Sequence, residues 1–445
     1  MLKLTDPLIE ESIENLKEYI SFPSVSAKNQ SINETANFLK KLFDDLGAEV
    51  QILDDYSKPL VYAELILDES TNKTILIYDH YDVQPEEPVE LWYSDPFELK
   101  ITKDKFIARG VSDCKADLIS RITALKLYKQ ENGDWPCNIK FVIEGGEEIA
   151  SENLEEYLKK YSSLFSADLV IWESGIKNEN EQFSFNGGNK GIVCFELEAI
   201  SASTDLHSSF AAVVDSASWR LNEALSLLRS SNGEILIPGF YDDVLDPSDR
   251  EKELVDNTIA PDFKSKWDLK TDLLKNPSIN YNLAFSPTIN IEGISTGWEG
   301  EGVKTVTPKK AIAKLECRLV PDQDPKDIFN KINAYLSENG FEDVKATYLM
   351  GEKSYRWDLD SKITNKLIET AVNYYGGKDK VEVLPSSPGT GPMHLVNQYT
   401  KAPIVSCGVS YSQANNHAPN ENIRINDYLE FIEFFEKFLT EVKGI

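Results

Sequence analysis

The first 175 residues alternate between two patterns of apolar side chains. Apolar residues that recur every three or four positions predict helices, which lie at 7–20, after residue 31, at about 115–131 and at 152–161. Continuous apolar runs of strand length predict buried strands, which lie at 60–67, 74–78, 139–143 and 169–172. Helices that alternate with buried strands are typical of an α/β layer with a largely parallel sheet.

Local signals mark where the first two helices begin. Asp6 followed by Pro7 places an N-cap before a proline at the first helical position. Ser31, with Glu34 three residues later, predicts a capping box in which each side chain accepts a hydrogen bond from the other residue's backbone N–H.

From about residue 190 the order of predicted elements changes. The elements are a strand at 192–200, a helix at about 212–229, strands near 287–292 and 310–320, a helix at 325–339 and a strand near 344–350. This β-α-β-β-α-β order, with a polar and acidic insertion at 242–275, is that of a small ferredoxin-like α+β domain. Beyond residue 356 helix and strand alternate again. We therefore expect an α/β fold of two domains, in which residues 1–188 and 356–445 form the first and residues 189–355 an inserted second.

Charge and composition exclude some classes of partner. The chain has 445 residues with 46 Lys and Arg against 74 Asp and Glu, a net charge of −28. Nucleic acids and anionic membranes attract positive surfaces, so neither is expected as a partner. Acidic residues occupy the N-terminal stretch that a signal peptide would keep apolar, and no run reaches the roughly 18 apolar residues of a membrane span. A cytoplasmic protein is therefore expected.

Several side chains with catalytic or metal-binding chemistry follow predicted strands. His80 ends one apolar strand, Glu147 and Glu148 follow another, and Glu173 follows a third. Ligands of open α/β sheets gather beyond the carboxyl ends of the strands. We therefore expect these four side chains along one edge of the sheet.

Two further residues join this candidate set. Asp113 lies where a helix is predicted to begin, and His417 lies in a polar loop near the C-terminus. Imidazole and carboxylate groups without thiolate suit zinc, manganese or cobalt. Two histidines and three of these four carboxylates are too many for one open catalytic site, but they match two metal ions about 3.5–4 Å apart that share one carboxylate.

These residues lie in motifs that resemble the M20 metallopeptidases, especially the carnosinase-like dipeptidases and related carboxypeptidases. The motifs are HYDVQP (80–85), WYSDPFE (92–98), RGVSDCK (109–115), EGGEEIAS (144–151), TDLHS (204–208), KTVTPKK (304–310), RLVP (318–321) and HAPNEN (417–422). They follow the family's order over nearly the whole chain. The resemblance implies a phosphorylase/hydrolase-like catalytic domain that holds two metal ions, interrupted by a lid and dimerisation domain.

The resemblance also implies a role for each candidate ligand. His80 and Glu173 would bind one metal ion, Glu148 and His417 would bind the other, and Asp113 would bridge the two. The expected ions are zinc, with manganese or cobalt as alternatives. The family has a cis peptide bond directly after the bridging aspartate, so one is expected here as well.

Other motif positions resemble the family's catalytic and substrate-binding residues. Asp82 would orient the imidazole of His80 by accepting its second N–H. Glu147 would be the general base, which takes a proton from the metal-held water and passes it to the leaving amine.

The remaining matches lie in the predicted inserted domain and near residue 390. His207 would reach the active site of the partner subunit in a homodimer and stabilise the oxyanion. Arg318 would hold the terminal carboxylate of the substrate, and Thr305 and Gly391 fall near other carboxylate contacts of the family.

The resemblance leaves three hypotheses for function. The first is a peptidase that removes a residue with a free carboxylate from dipeptides or short peptides. The second is an amidohydrolase acting on N-acyl amino acids, because SSPGTGPM (386–393) lacks an arginine that carnosinase-like members carry. The third is a non-catalytic dimeric protein that only binds metal.

Overall fold

The computed structural model describes residues 2–67, 73–271, 277–356 and 359–443. The α-helices within them are α1 Pro7–Ile20, α2 Ile32–Leu46, α3 Ala116–Asn132, α4 Leu154–Lys160, α5 Ala217–Leu228, α6 Asp249–Asp256, α7 Phe263–Lys266, α8 Ile279–Phe285, α9 Pro325–Glu338, α10 Lys362–Tyr375, α11 Met393–Thr400 and α12 Ile425–Val442. The last residues of the predicted polar insertion, 272–275, lie outside the described ranges.

The strands are short in most of the chain and long only between residues 191 and 352. They are β1 Glu49–Leu53, β2 Leu60–Leu65, β3 Thr74–His80, β4 Lys100–Ile101, β5 Lys105–Ile107, β6 Asn138–Glu144, β7 Leu169–Trp172, β8 Ile176–Lys177, β9 Phe183–Asn186, β10 Gly188–Asn189, β11 Gly191–Ile200, β12 Leu206–His207, β13 Thr288–Thr296, β14 Val306–Thr307, β15 Lys310–Leu319, β16 Lys345–Glu352, β17 Tyr355–Arg356, β18 Val381–Leu384, β19 Ile404–Ser406, β20 Ser410–Tyr411 and β21 Asn422–Arg424.

Contacts between residues group the chain into two compact units. Unit 1 comprises Met1–Gly188, Trp357–Pro385 and Leu395–Ile445, and unit 2 comprises Asn189–Arg356 and Ser386–His394. Each unit has a sheet of its own, and the two sheets differ in strand direction.

The main sheet of unit 1 has the strand order β1-β2-β6-β3-β7-β19-β9-β8-β20, with β18 also paired to β9. Its centre, β6-β3-β7-β19, is parallel. The flanking pairs β1-β2 and β2-β6 are antiparallel. The predicted α/β class with a largely parallel core is therefore confirmed.

The central strands lack polar alternation because both of their faces are covered. All residues of β7 are buried, as are those of β3 from Ile75 to His80. Helix α12 packs against α3, and α3 packs against α1. Continuous burial of this kind is typical of parallel sheets in α/β proteins. Because β3 pairs in parallel with both β6 and β7, the carboxyl ends of the three strands lie side by side.

Two local predictions about helix starts have different outcomes. Helix α1 begins at Pro7, as predicted. The capping box predicted at Ser31 is wrong, because Ser31 has a left-handed φ of 48° and its side chain makes no capping hydrogen bond. An N-cap side chain reaches the first-turn N–H groups from an extended backbone, which Ser31 does not have.

Unit 2 has the order β11-α5-β13-β15-α9-β16, with the short elements β12, α6–α8 and β14 between them. Its sheet is antiparallel with the strand order β13-β15-β11-β16. Alternate residues of β11 point to opposite faces, and Val193 and Phe195 join a hydrophobic core with Leu221 of α5 and Ile332 of α9. This is the ferredoxin-like arrangement expected from the sequence.

Candidate active site

Three parallel strands of unit 1 deliver polar side chains to one edge of the sheet. His80 is the last residue of β3, and Glu173 directly follows β7. Glu147 and Glu148 lie in a short 3₁₀ turn a few residues after β6. Because β6, β3 and β7 are neighbours, these side chains converge beyond the strand ends, as the sequence predicts.

Asp113 lies at the centre of the group. Its Oδ1 is 3.2 Å from Nε2 of His80, and its Oδ2 is 3.0 Å from Nε2 of His417. Glu173 Oε2 lies 3.9 Å from Nε2 of His80, and Glu148 Oε2 lies 3.3 Å from Nε2 of His417. The five side chains therefore form two groups that share one carboxylate.

The backbone at this carboxylate has an unusual form. The peptide bond between Asp113 and Cys114 is cis, as the family resemblance implies. Cys114 is fully buried, and its Sγ lies 2.5 Å from Oδ1 of Asp79. Burial raises the pKa of the Cys114 thiol.

Asp82 contacts both the imidazole of His80 and the turn that carries Glu147 and Glu148. Nδ1 of His80 lies 2.9 Å from the backbone carbonyl oxygen of Asp82 and 3.5 Å from the carboxylate. The two carboxylate oxygens accept hydrogen bonds of 3.1 Å from the backbone N–H groups of Glu147 and Glu148. The carbonyl therefore contacts the imidazole, and the carboxylate holds the turn that carries the two glutamates.

Burial and repulsion between neighbouring carboxylates raise the pKa values of the three glutamates in this group. Burial raises the pKa of Glu148 to about 7 and that of Glu173 to about 8, and Asp113 contributes to both. Burial and the nearby Glu173 raise the pKa of Glu147. Burial opposes ionisation of Asp113 too, but hydrogen bonds with His417 and His80 hold its pKa well below the usual range.

This donor set fits divalent cations. Nitrogen and carboxylate oxygens are suitable ligands for zinc or manganese. Glu173 Oε2 is buried and has no hydrogen-bond partner within the described part of the chain. A buried acceptor without a donor is costly unless a cation contacts it, and an ion beside Glu148 would likewise favour its charged form. The residues present therefore satisfy what a metal pair needs.

Sequence reasoning did not identify two neighbours that hold ligand candidates. Gln84 donates from Nε2 to Oε2 of Glu148 at 2.8 Å. The indole N–H of Trp172 donates to Oε1 of Glu173 at 3.1 Å. Gln84 lies inside the HYDVQP motif and Trp172 directly precedes Glu173. Their closeness in sequence to other candidate residues is the feature that could have identified them.

The candidate residues of unit 2 form two separate contacts. His207 is exposed, its Nδ1 accepts the N–H of Ser209 at 3.1 Å, and its Nε2 lies 3.2 Å from Oγ1 of Thr305. An acceptor at Nδ1 places the proton of the neutral imidazole on Nε2. His207 and Thr305 therefore lie together, and Nε2 is a hydrogen-bond donor.

Arg318 forms the second contact. Nη1 donates to Oγ1 of Thr390 at 2.7 Å, and Nη2 lies 3.2 Å from Oε2 of Glu316. The carbonyl of Gly391 accepts a hydrogen bond of 2.8 Å from Nδ2 of Asn189. Thr390, which the sequence reasoning missed, therefore contacts the arginine, while Gly391 is bonded elsewhere.

The comparison with known families now identifies the class of protein. The model of peptidase family M20/M25/M40 matches residues 76–441, and the chain belongs to this family. The resemblance of the motifs to the M20 metallopeptidases is therefore confirmed, and the protein is a metal-dependent hydrolase.

The similarity to individual relatives extends along nearly the full length of the chain. The chain is 25% identical over 480 residues to the Cys-Gly metallodipeptidase dug1 of Schizosaccharomyces pombe, covering 100% of this chain and 98% of the relative. It is 26% identical to the Beta-Ala-His dipeptidase of Homo sapiens, covering 97% and 90%. The crystal structure of the M20 family metallo-carboxypeptidase Sso-CP2 from Sulfolobus solfataricus superimposes with a TM-score of 0.90 at 36% identity, covering 98% of this chain and 100% of that one.

None of the described helices is both long and apolar enough to cross a bilayer.

Proposed function

We propose that this protein is a peptidase that uses two divalent metal ions, most simply zinc, to hydrolyse dipeptides or short peptides with a free C-terminal carboxylate. The observation that supports it most directly is the grouping of His80 with Glu173, and of His417 with Glu148, around the shared carboxylate of Asp113. Relatives named as dipeptidases and a carboxypeptidase support a peptide substrate.

We propose that the five side chains hold the ions and that Glu147 transfers the proton. Bound ions of this type polarise a carbonyl and lower the pKa of water towards 7. Glu147 takes a proton from the attacking water on its carboxylate and delivers it to the nitrogen of the leaving amine. Burial and the nearby Glu173 raise the pKa of Glu147 in the metal-free protein, and bound cations would favour the charged carboxylate that accepts the proton. Asp82 holds the backbone of Glu147 in place.

Two residues of unit 2 would act on the substrate. We propose that Nε2–H of His207 donates to the oxyanion that forms during attack, in the active site of a partner subunit. Arg318 would bind the terminal carboxylate with its planar guanidinium. In this structure the hydroxyl of Thr305 lies 3.2 Å from the same Nε2, so the oxyanion would replace it as the acceptor of this N–H.

A homodimer formed through residues 189–355 is part of this proposal, with residues 1–188 and 356–445 as the catalytic domain. Unit 2 exposes large apolar side chains, and exposed apolar surface is typical of subunit interfaces. These side chains are Phe210, Val213, Trp219, Trp298 and Val303. Strand β13 lies at the edge of its sheet, where a second copy can pair or pack. A cytoplasmic location stays a prediction.

The test is hydrolysis of a dipeptide panel by protein stripped with EDTA, before and after addition of zinc, manganese or cobalt. We expect hydrolysis only after metal is added. Glu147→Gln should lower kcat by about 10²–10⁴-fold while binding metal as the natural protein does. Glu152→Gln, at an exposed position nearby, is the matched control. If Glu147→Gln turned over substrate near the natural rate, Glu147 would not be the general base.

The same panel separates the second candidate function. The loop 386–393 has no arginine or lysine, and this absence is the observation that supports the second candidate, an amidohydrolase of N-acyl amino acids. Acetylated amino acids hydrolysed much faster than every dipeptide would establish that alternative. Tight metal binding without hydrolysis of either class would indicate a binding protein.

A further inference from the structure

Glu421 is a buried carboxylate four residues after His417, with 1% of its surface exposed. Its Oε2 accepts hydrogen bonds from Nη1 of Arg109 at 2.8 Å and from the N–H of Gly110 at 2.9 Å. Its Oε1 accepts from the N–H groups of Ser112 at 2.8 Å and Asp113 at 3.0 Å. One side chain thus satisfies four donors of the segment that ends in Asp113.

Arg109 balances the charge of this carboxylate inside the protein. It is 1% exposed, and Nη2 donates to the carbonyl oxygen of Pro85 at 3.1 Å. Its guanidinium also lies 5.3 Å from the centre of the Trp92 ring. A buried carboxylate with a paired cation and three backbone donors is well held in one position.

The loop that carries His417 needs such a restraint. Asn415, His417 and Asn420 have left-handed φ values of 59°, 58° and 62°. Residues other than glycine adopt such values less often, and the surrounding structure must then support them. The side chain of Asn420 fixes part of the loop by donating to the carbonyl of Leu91 at 2.8 Å and accepting the N–H of Tyr93 at 2.7 Å. Glu421 fixes the end of the same loop.

We propose that Glu421 is a positioning residue that holds the Asp113 segment against the His417 loop, and so sets the separation of the metal-ligating side chains. This inference rests on the proposed function. Glu421 contacts the backbone N–H of Asp113 and not its carboxylate, so it acts through the backbone. Both imidazoles contact the carboxylate of Asp113 at 3.0–3.2 Å, so movement of this residue would change both groups of ligands.

The decisive variant is Glu421→Gln. Glutamine has one acceptor oxygen, so its NH₂ group must face one of the two pairs of donors, and Arg109 loses its counter-charge. The matched control is Glu382→Gln, which alters a buried glutamate of β18 that accepts a hydrogen bond from Ser184 at 2.6 Å. Glu421→Asp keeps the charge but is one methylene shorter, and it is the second test variant.

Binding of Co²⁺ to metal-free protein is measured by calorimetry and by the visible absorption of the bound ion, with thermal unfolding as the measure of folding. We expect Glu421→Gln to bind Co²⁺ about 10–100-fold more weakly, with a changed absorption spectrum. Glu382→Gln should lower the melting temperature and keep the natural affinity and spectrum.

Each other outcome has a defined meaning. A folded Glu421→Gln protein with natural affinity and spectrum would overturn the inference, as would an equal loss of affinity in Glu382→Gln. If Glu421→Gln does not fold, Glu421→Asp decides by the same two measurements. If the natural protein itself binds no Co²⁺, the proposed function fails, which is a different result from natural affinity in the variant.

Discussion

The candidate site residues of the two units differ in burial and in the partners they contact. In unit 1, the side chains of His80 and Glu148 are 1% and 5% exposed, only that of His417 is as much as 53% exposed, and the polar groups contact mainly one another. In unit 2, His207 is exposed and the Arg318 side chain is 31% exposed. The partners of these two residues are Ser209, Thr305, Thr390 and Glu316 of the same unit.

This difference indicates two different kinds of ligand. A buried group of carboxylates with raised pKa values is unfavourable by itself and is stabilised by cations. Donors that keep contact with solvent pay less of this penalty and can bind a substrate that arrives from solvent. We therefore expect changes in unit 1 to alter metal binding, and changes in unit 2 to alter turnover or substrate affinity at full metal content.

The largest effect expected in unit 2 comes from His207→Ala. Loss of a donor to the oxyanion should lower kcat by about 10²–10³-fold without changing the amount of bound metal. Kinetics and elemental analysis of the same sample measure both. Ser209→Ala, which keeps the imidazole, is the control and should retain most of the activity.

The same variant tests whether His207 acts in a partner subunit. If it does, mixing His207→Ala with Glu147→Gln forms dimers in which one site has both groups. Random exchange should then restore about a quarter of the natural activity. No recovery after demonstrated subunit exchange, or a monomer by light scattering, would contradict action across subunits.

A smaller effect is expected from Arg318→Met. Hydrogen bonds to a charged group contribute about 1.5–3 kcal/mol, so kcat/KM for dipeptides should fall by about 10–100-fold. Dipeptides with an amidated C-terminus should be affected far less, because they have no carboxylate for the guanidinium to bind. Equal losses for both substrates would mean that Arg318 does not recognise the carboxylate. Thr390→Val tests whether the hydroxyl that Nη1 contacts helps to orient it.

The metal-ligand candidates could be predicted because their signals are local. His80 and Glu173 follow apolar runs that are recognisable as buried strands, and parallel strands bring their carboxyl ends to one edge. Asp113 and His417 do not follow predicted strands, and the motifs around them identified these two residues as ligand candidates. The sequence-based expectation and the structure agree where a residue's place depends on its own strand or motif.

Contacts between distant segments were not predictable in this way. Glu421 and Asp113 are separated by 308 positions, and no periodicity relates them. Thr390 likewise lies far from Arg318 in the chain. The capping box failed for a different reason, because residue types at the right spacing do not determine whether Ser31 adopts an extended backbone. Strands β1 and β2 also add antiparallel pairing to a sheet expected to be largely parallel.

The last effect that we predict changes stability and not turnover, and it returns to the buried site of unit 1 in the metal-free protein. In the folded protein Glu148 and Glu173 keep their protons up to about pH 7 and 8, compared with a pKa of 4.5 for an ordinary glutamate. The hydrogen bond with Asp113 also raises the pKa of His417. The folded state therefore binds more protons than the unfolded state between about pH 4.5 and 8, so its stability falls as the pH rises through this window.

Urea unfolding in EDTA should show the free energy of unfolding decreasing by more than about 2 kcal/mol between pH 5 and pH 8. Added metal should weaken this dependence, because the cation favours the charged carboxylates. The Glu148→Gln/Glu173→Gln double variant should also lose much of the slope, since it lacks two of the groups that titrate. The prediction would be wrong if the stability of the metal-free protein were constant or rose over this range. Glu148 and Glu173 would then not keep their protons in the folded state, and burial would not distinguish them from the candidate residues of unit 2.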